Sequence, residues 1–451
     1  MSEGRFLSGS TMGHVARMTL TGALGISFVF LVDAVNLFWL AQFGTPQLVA
    51  AIGFAFAIQY FSVSSGIGLM IAANVLVSRA IGAGDRGMAR TQAGSAMAIA
   101  FAVQSLMAAT IVIFRHDLVA MAGATGETAI LAARYLAISV PSLGVMVVAM
   151  VANAVLRAEG DAARSMYVTL ISGGVALIID PPLIYYFGLD GAATGLVISR
   201  CIMLAVALRF AIGTHDLVAR PALRSILLCL TPFAFVAGPA ILTQMATPVG
   251  NYLLTTVMAQ FGDDAVAGWA VVGRLTVLAF GGIFSLSGAI AGIFGQNYGG
   301  KRWERLRMAY RDALIFGVGY SIVMWGLLVA CLPLIKTAFA LQPGGEIVLD
   351  AFIYIGAGAV VCAAALFVSN AAFNALGKPG RSTFVNWLRD GILTLPLALW
   401  GAAAFGAPGV IYAQALAGAL VGLGSAIWGW YFVQRLTASQ DSTLDAAPAR
   451  T

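Results

Sequence analysis

The chain has 451 residues, of which 60% are hydrophobic and only 10% are charged, and its formal net charge is +6. With a mean hydropathy of +0.91, it carries more apolar surface than a water-soluble fold can hide from solvent. The composition therefore excludes a soluble domain and predicts an integral membrane protein.

Apolar segments long enough to cross a bilayer recur along nearly the whole chain. A membrane-spanning helix needs about 20 apolar residues, so segments of this length predict helices rather than barrel strands. The residues before the first segment are polar, and we expect no cleavable signal peptide. Twelve spans are predicted, over residues 18–42, 48–78, 92–114, 129–156, 166–187, 191–212, 225–260, 265–297, 312–334, 348–376, 381–404 and 409–433.

Basic residues fall mainly on one side of the predicted membrane. They follow the even-numbered spans, whereas the connections after odd-numbered spans carry few, with Arg115 and Lys336 as exceptions. By the positive-inside rule, both termini are cytoplasmic. These residues lie in short loops rather than on one face of a soluble module, so we expect contact with inner-leaflet lipids and no nucleic-acid partner.

Three loop motifs occur twice with a constant offset of about 217 residues. The pairs are LAQFG at 40–44 with MAQFG at 258–262, SRAIGAGDRGMAR at 78–90 with GQNYGGKRWERLR at 295–307, and NAVLRAEGD at 153–161 with NAAFNALGK at 370–378. Two six-helix halves repeated in the same orientation are typical of transporters. The predicted domains are an N-lobe over 1–212, a cytoplasmic linker over 213–226, a C-lobe over 227–436 and a disordered tail over 437–451.

Nearly the whole chain resembles the multidrug and toxic compound extrusion (MATE) transporters. The motifs that carry the resemblance are FLVDAVNLFWLAQFGTPQLVAAIG, VSRAIGAGD, NAVLRAEGD, IIDPPLIYYFGLDGAATG and GQNYGG. Within the family, the sequence resembles the DNA-damage-inducible-F-like branch rather than the branch that uses a glutamate in span seven, because span seven here contains no acidic residue. The resemblance implies two lobes, alternating access in a bacterial inner membrane, and export of amphipathic, mostly cationic compounds by a monomer in exchange for H+ or Na+.

Two carboxylates stand in otherwise apolar N-lobe spans, Asp33 in span one and Asp180 in span five. Each lies about 14 or 15 residues from the cytoplasmic start of its span, at a similar depth of about 21 to 23 Å. An acid in hydrocarbon is costly, so both are expected to face the protein interior or a watery cavity. Burial and a like charge nearby favour the neutral form of a carboxylate, as proton exchange requires. We predict that both carry protons; the alternative is a structural role, with Asn36 satisfying Asp33.

Other N-lobe positions follow from the family resemblance. Asn153 matches the family Asn of span four, and Tyr135 lies near a family cavity tyrosine, so both are candidates for a supporting polar network with Asn36. Ala176 stands where branch members often have Asn, which removes an oxygen ligand for Na+ and favours H+. The adjacent Pro181 and Pro182 predict a bend in span five.

The C-lobe differs chemically from the N-lobe. By the repeat, Asn251 occupies the position of Asp33 and cannot titrate, so coupling is expected in the N-lobe. Asp390, with Arg389 beside it, and Arg274 lie deep in spans eleven and eight, and an ion pair that steadies helix packing is favoured over a second coupling or substrate site. Arg200 in span six presents the same two possibilities.

Other functions compete with export of cations by proton exchange. A Na+-coupled exporter remains open, as does a lipid-linked oligosaccharide or lipid flippase of the same superfamily, which would need a cationic cavity. An enzyme is not expected, because the chain has no HExxH motif and its three His residues lie near the N-terminus or in loops. No cofactor or metal is expected, and the four Cys residues fall in apolar spans as small core residues.

Overall fold

The computed structural model describes residues 4–43 and 45–445, and within these ranges the regular structure is helical throughout, without strands. Long helices are the expected outcome, because in a bilayer every backbone N–H and C=O must find its partner within its own segment. The helices of the N-terminal half are α1 (Thr11–Phe43), α2 (Pro46–Gly82), α3 (Arg86–Ile113), α4 (Arg115–Met121), α5 (Gly126–Ser139), α6 (Leu143–Glu159) and α7 (Ala162–Gly213).

The C-terminal half repeats this pattern with more interruptions. Its helices are α8 (Leu223–Met258), α9 (Asp263–Gly299), α10 (Trp303–Phe339), α11 (Pro343–Ala351), α12 (Ala357–Ala375), α13 (Pro379–Trp387), α14 (Thr394–Phe405) and α15 (Ala407–Asp445). The predicted tail begins at residue 437, so its first part lies in α15, and residues 446–451 fall outside the described residues.

Ten helical segments of the described chain are long and apolar enough to cross a membrane. One of them, α7, contains two spans, because Gly188 takes a left-handed φ of 54° and reverses the chain. The interrupted helix from α13 through α14 supplies another, which gives the twelve predicted spans. The break in α7 at Gly188 falls between the predicted spans five and six, which end at residue 187 and begin at residue 191. The bend that Pro181 and Pro182 predict inside span five stays a prediction.

Three of the spans are irregular at identifiable points. Span four is broken by a 3-10 turn at Val140–Ser142, which contains a proline. Spans ten and eleven each contain a π-helical turn, at Phe352–Gly356 and Leu388–Leu393. Because π-turns are rare and occur frequently at functional sites, the turn that holds Asp390 makes span eleven a candidate functional position.

The described chain forms two compact units. One comprises residues 24–81 and 85–241, and the other comprises residues 4–23, 82–84 and 242–445. These boundaries differ from the predicted lobes at two places: the first turns of α1 group with the C-terminal unit, and the linker with the start of α8 groups with the N-terminal unit. Each segment is bound by one copy of the repeated loop motif.

In the N-terminal unit, the first copy binds the linker. Arg86 donates to the backbone oxygen of His215 at 2.7 Å, and Arg90 forms an ion pair with Asp216 at 2.9 Å. The backbone N–H of Ala219 donates to the Arg90 oxygen at 3.0 Å. These contacts hold the linker against α3, which explains why it groups with this unit.

In the C-terminal unit, the second copy binds the N-terminal residues in a comparable way. The backbone N–H of Phe6 donates to Gln296 Oε1 at 2.9 Å, and Asn297 donates to the Phe6 oxygen at 3.3 Å. Arg305 donates to the backbone oxygens of Phe6, Ser8 and Gly9. The repeated motif therefore serves in both units to bind the segment that precedes a first span.

The linker is also held by Asp161, between α6 and α7. Burial alone would raise the pKa of Asp161, but hydrogen bonds from the Arg164 backbone and side chain and from His215 hold it below its ordinary value of 3.8. Because the pKa is lower in the folded protein, this carboxylate stabilises the fold fully above its ordinary value, and the contribution disappears as pH falls through the lowered value.

Asp161→Asn should therefore lower the free energy of unfolding at neutral pH by about 2 kcal/mol, through loss of charge-assisted hydrogen bonds. The difference from the unsubstituted protein should shrink below about pH 4. Thermal unfolding in detergent across a pH series measures both effects. Asp117→Asn, at an exposed position in α4, is the control and should change stability by less than about 0.5 kcal/mol. An equal loss of stability at every pH would contradict this account.

Candidate functional site

The two helices that carry the N-lobe acids pack side by side and run in the same direction. A Cβ added at Gly25 would lie 3.8 Å from Thr169, and one added at Gly173 would lie 2.8 Å from the Phe28 ring. Small residues on both helices thus allow the backbones to approach closely. Higher along the same contact, Asn36 of α1 meets Asp180 of α7, so the two helices stay in step over about three turns.

The Asp180 carboxylate is buried at the centre of this contact. Its Oδ2 accepts a hydrogen bond from Asn36 Nδ2 at 2.6 Å. Its Oδ1 lies against Gly195, on the other arm of the α7 hairpin, where an added Cβ would stand only 2.1 Å away. Among the described residues Oδ1 has no hydrogen-bond partner, and no cation pairs with Asp180. The carboxylate is therefore buried, has a hydrogen bond to only one of its two oxygens, and has no cation beside it among the described residues.

Asp33 lies one turn before Asn36 on α1, about 4.5 Å along the helix axis. Its side chain is exposed, and within the described part of the chain it forms no hydrogen bond or ion pair. The amide of Asn36 donates to Asp180 rather than to Asp33. Asn36 is thus the residue through which α1 contacts the buried acid, and Asp33 remains accessible on the same helix.

Tyr135 lies within electrostatic range of both acids. It is buried in α5, and its ring packs edge-on against Phe56 with the ring centroids 6.2 Å apart. Its hydroxyl interacts electrostatically with Asp33, Asp180 and Arg200. This proximity groups three of the predicted N-lobe residues with Asn36.

Asn153 is a buried residue of α6. It is the first residue of the NAVLRAEGD motif and lies six residues before the end of α6. Its buried Oδ1 has no hydrogen-bond partner among the described residues. Among the described residues, no hydrogen bond joins Asn153 to Asp180. Its membership of the polar network stays a prediction.

Arg200 is a buried cation held by neutral acceptors. It donates to the Ser139 backbone oxygen at 3.0 Å, to Ser142 Oγ at 2.7 Å and to Gln59 Oε1 at 3.2 Å. No carboxylate of the described residues forms an ion pair with it. Arg200 thereby joins α7 and α2 to the broken turn of span four. Gln59 was not singled out from the sequence, although a lone amide within an apolar span is a usable signal.

Arg200→Gln should lower the free energy of unfolding by about 2 kcal/mol, because the shorter side chain leaves buried acceptors without a donor. The unfolding midpoint of the purified protein measures this effect. Arg209→Gln, at an exposed position on the same helix, is the matched control and should leave the midpoint nearly unchanged. A raised midpoint for Arg200→Gln would instead show that the cost of burying the guanidinium exceeds its hydrogen bonds.

In the C-terminal unit, Asp390 pairs with its neighbour Arg389. Arg389 Nε and Nη2 donate to the two carboxylate oxygens at 2.6 and 2.7 Å, and Thr247 donates to Oδ2 at 3.3 Å. Gly250 of α8 packs against the same side chain, where an added Cβ would lie 2.8 Å from the Asp390 Cβ. This geometry is the ion pair that the sequence favoured, built on the π-turn of span eleven.

The other two predicted C-lobe residues take no part in that pair. Arg274 of α9 and Asn251 of α8 are both exposed, and their side chains form no hydrogen bond or ion pair within the described ranges. The two units therefore present different chemistry: a buried carboxylate without a cation in one, and a neutralised carboxylate with a separate exposed arginine in the other.

Comparisons with known proteins identify the family. The MatE family model matches residues 21–182 and again residues 239–400, which reproduces the internal repeat. The chain is 24% identical to an FAD transporter of Shewanella oneidensis, over 97% of both chains, and 21% identical to the multidrug export protein MepA of Staphylococcus aureus, over 96% of both.

A crystal structure of MATE in the straight conformation superposes with a TM-score of 0.89 at 21% identity, covering 97% of this chain and 99% of that one. This likeness confirms the all-helical fold of twelve membrane spans in two lobes. The residues matched by the family model are more than half of the chain. The protein belongs to the MatE family and is a multi-pass membrane transporter of small molecules rather than an enzyme.

Proposed function

We propose that this protein exports amphipathic, mostly cationic compounds from the cytoplasm in exchange for protons. In this proposal it acts as a monomer in a bacterial inner membrane, with both termini cytoplasmic, and alternates between inward-facing and outward-facing states. The observation that carries the proposal is the Asp180 carboxylate, which is buried in a membrane span, accepts one hydrogen bond from Asn36 and has no cation among the described residues to neutralise it.

A carboxylate in this position can hold a cation or a proton, but not both favourably, because only the ionised form attracts a positive charge. Asp180 Oδ1 is the free oxygen on which a proton would sit. Asp33, which is exposed on α1, supplies the second charge. Cargo and proton therefore compete for the same acids, and competition of this kind is sufficient for antiport.

Asn36 offers a route from protonation to helix movement. Its hydrogen bond to Asp180 is strengthened while the carboxylate is charged and weakens when a proton neutralises it. Because this bond joins α1 to α7, uptake of the proton loosens the contact between these two helices. We propose that α1 then moves relative to α7 and releases the cargo to the exterior.

The side chains beside Asp180 favour proton coupling over sodium coupling, because they offer few oxygen ligands for a metal cation. Sodium needs several oxygen ligands around one point, and Ala176, one helical turn before Asp180, supplies none from its side chain. Asn36 turns its amide nitrogen rather than its oxygen toward Asp180. Both features suit a proton, which needs only one oxygen. Assignment to the DNA-damage-inducible-F-like branch is part of the same proposal.

The test uses everted membrane vesicles and a fluorescent lipophilic cation. A pH gradient that is acidic inside should drive the cation into the vesicles. A Na+ gradient that is higher inside, at equal pH on both sides, should not. In vesicles that contain the Asp33→Asn variant, accumulation driven by the pH gradient should be lower by about tenfold to a hundredfold. Accumulation driven by Na+ alone would contradict proton coupling and support the sodium alternative.

A second candidate function is export of an anionic dinucleotide. The similarity to a transporter of FAD extends over 97% of the chain, and Arg274 offers an exposed cation within a membrane span. The same vesicles distinguish the two possibilities when FAD replaces the dye. Accumulation of FAD that is lost in Arg274→Gln, together with no accumulation of the cation, would favour this candidate over the first.

A further inference from the structure

A small hollow lies between the start of α13 and the last turns of α15. Its volume is about 320 Å³, and its lining includes Arg381, Trp428, Tyr431, Phe432 and Arg435. Among the residues whose side chains the structure describes, none that lines it is acidic. We refer to these five residues as the arginine hollow. Neither the repeat nor the proposed transport mechanism assigns them a role.

Arg381 is held in place by aromatic rings rather than by an acid. Its guanidinium carbon lies 4.6 Å from the Phe432 ring centroid, 5.0 Å from that of Trp428 and 5.8 Å from that of Phe373. Stacking of this kind orders the guanidinium through its flat faces and leaves the N–H groups on its edge available. Within the described ranges, neither Arg381 nor Arg435 forms a hydrogen bond or ion pair through its side chain.

The position of the hollow in the chain places it at a membrane surface. Arg381 is in the first turn of α13, directly after the short connection at residues 376–378, and Arg435 is near the end of the apolar part of α15. Trp and Tyr side chains concentrate where a membrane helix meets the headgroups, and Arg reaches toward them. In the proposed orientation, this surface is the cytoplasmic one, whose lipids carry negative charge.

We propose that the arginine hollow binds the phosphate of an anionic lipid headgroup in the cytoplasmic leaflet. Two guanidiniums can donate several parallel N–H bonds to phosphate oxygens. The aromatic rings beside them suit the apolar start of the acyl chains. The inference rests on the proposed orientation of the chain and is independent of which ion or cargo the transporter uses.

Trp428 serves as a reporter for this site. The full chain is reconstituted into phosphatidylcholine vesicles that contain either brominated phosphatidylglycerol or brominated phosphatidylcholine, since bromine quenches a nearby indole. Subtraction of the signal from a Trp428→Phe variant isolates this residue from the other seven Trp residues. We expect stronger quenching by brominated phosphatidylglycerol at equal lipid fraction, because the site concentrates that lipid around Trp428.

Arg381→Gln/Arg435→Gln should reduce the apparent preference for phosphatidylglycerol about 25-fold, with each lost charge accounting for about fivefold. Arg435→Gln alone serves if the double variant does not fold, because Arg435 does not form the ring stack and its loss should leave that packing intact. The matched control is Arg220→Gln/Arg224→Gln, which removes the same charge from two exposed positions, one before α8 and one in its first turn, and should retain the preference.

An equal reduction in the control, or equal quenching by the two lipids in the unsubstituted protein, would overturn the proposal. A further arm titrates inorganic phosphate against the protein in detergent and follows Trp428 fluorescence. No change is expected, because the site should need a headgroup anchored in the membrane. A saturable response to inorganic phosphate would reassign the hollow to a soluble phosphate and would also overturn the lipid assignment.

Discussion

Asp180→Asn should reduce proton-driven export by about tenfold to a hundredfold while leaving the protein folded. Asparagine has nearly the shape of aspartate and can still accept the Asn36 hydrogen bond through its amide oxygen, but it cannot exchange a proton. The loss should therefore equal the coupling free energy between proton and cargo, which is typically about 1 to 3 kcal/mol. Uptake of a fluorescent cation by everted vesicles under an imposed pH gradient measures the effect, and Asp33→Asn should give a similar loss.

The control for this variant is Asp190→Asn. Asp190 lies in α7 beyond the Gly188 break and pairs with Arg134 where both side chains are partly exposed. An exposed pair contributes about 0 to 1 kcal/mol, so export should be nearly unchanged. Proton-driven export that survived in both Asp33→Asn and Asp180→Asn would refute the proposed role of these acids.

Gly195→Ala tests the geometry rather than the charge. Its Cβ would stand 2.1 Å from Asp180 Oδ1, so the carboxylate would have to leave its position against the hairpin. Export should fall although every acid is retained. Gly174→Ala is the matched control on the same helix, because an added Cβ there would meet no neighbouring atom within 4 Å.

Asp390→Asn should destabilise the C-terminal unit by about 3 to 5 kcal/mol, because it leaves the charge of Arg389 buried without its partner. Both side chains of this pair are largely buried, with 14% of Arg389 and 12% of Asp390 exposed. The unfolding midpoint of the purified protein should fall clearly. In vesicles, proton-driven export normalised to folded protein should be retained.

Arg389→Gln/Asp390→Asn separates the two roles considered for Asp390. Removing both charges avoids the unpaired guanidinium, so the double variant should recover most of the stability that Asp390→Asn loses. If Asp390→Asn instead kept its stability and lost its response to the pH gradient, Asp390 would be a coupling residue and the structural assignment would be wrong.

The sequence alone determined the class of the protein, the number of its spans and its duplication. These properties depend on the thickness of the bilayer and on the spacing of motifs along one chain, and both can be counted without coordinates. It also identified Asp33 and Asp180, because an acidic residue within an apolar span can be recognised from the sequence without knowing which residues contact it. Their functional roles stay predictions until the variants are measured.

Only the tertiary structure decided which groups meet. Asn36 is one turn from Asp33 in sequence, yet it donates to Asp180, 144 residues away, because α1 and α7 pack in step. Arg389 rather than Arg274 neutralises Asp390, and Arg200 proves to be held by neutral oxygens. Hydrogen-bond partners depend on how helices from distant parts of the chain pack together, and the periodicity of each helix alone does not contain that information.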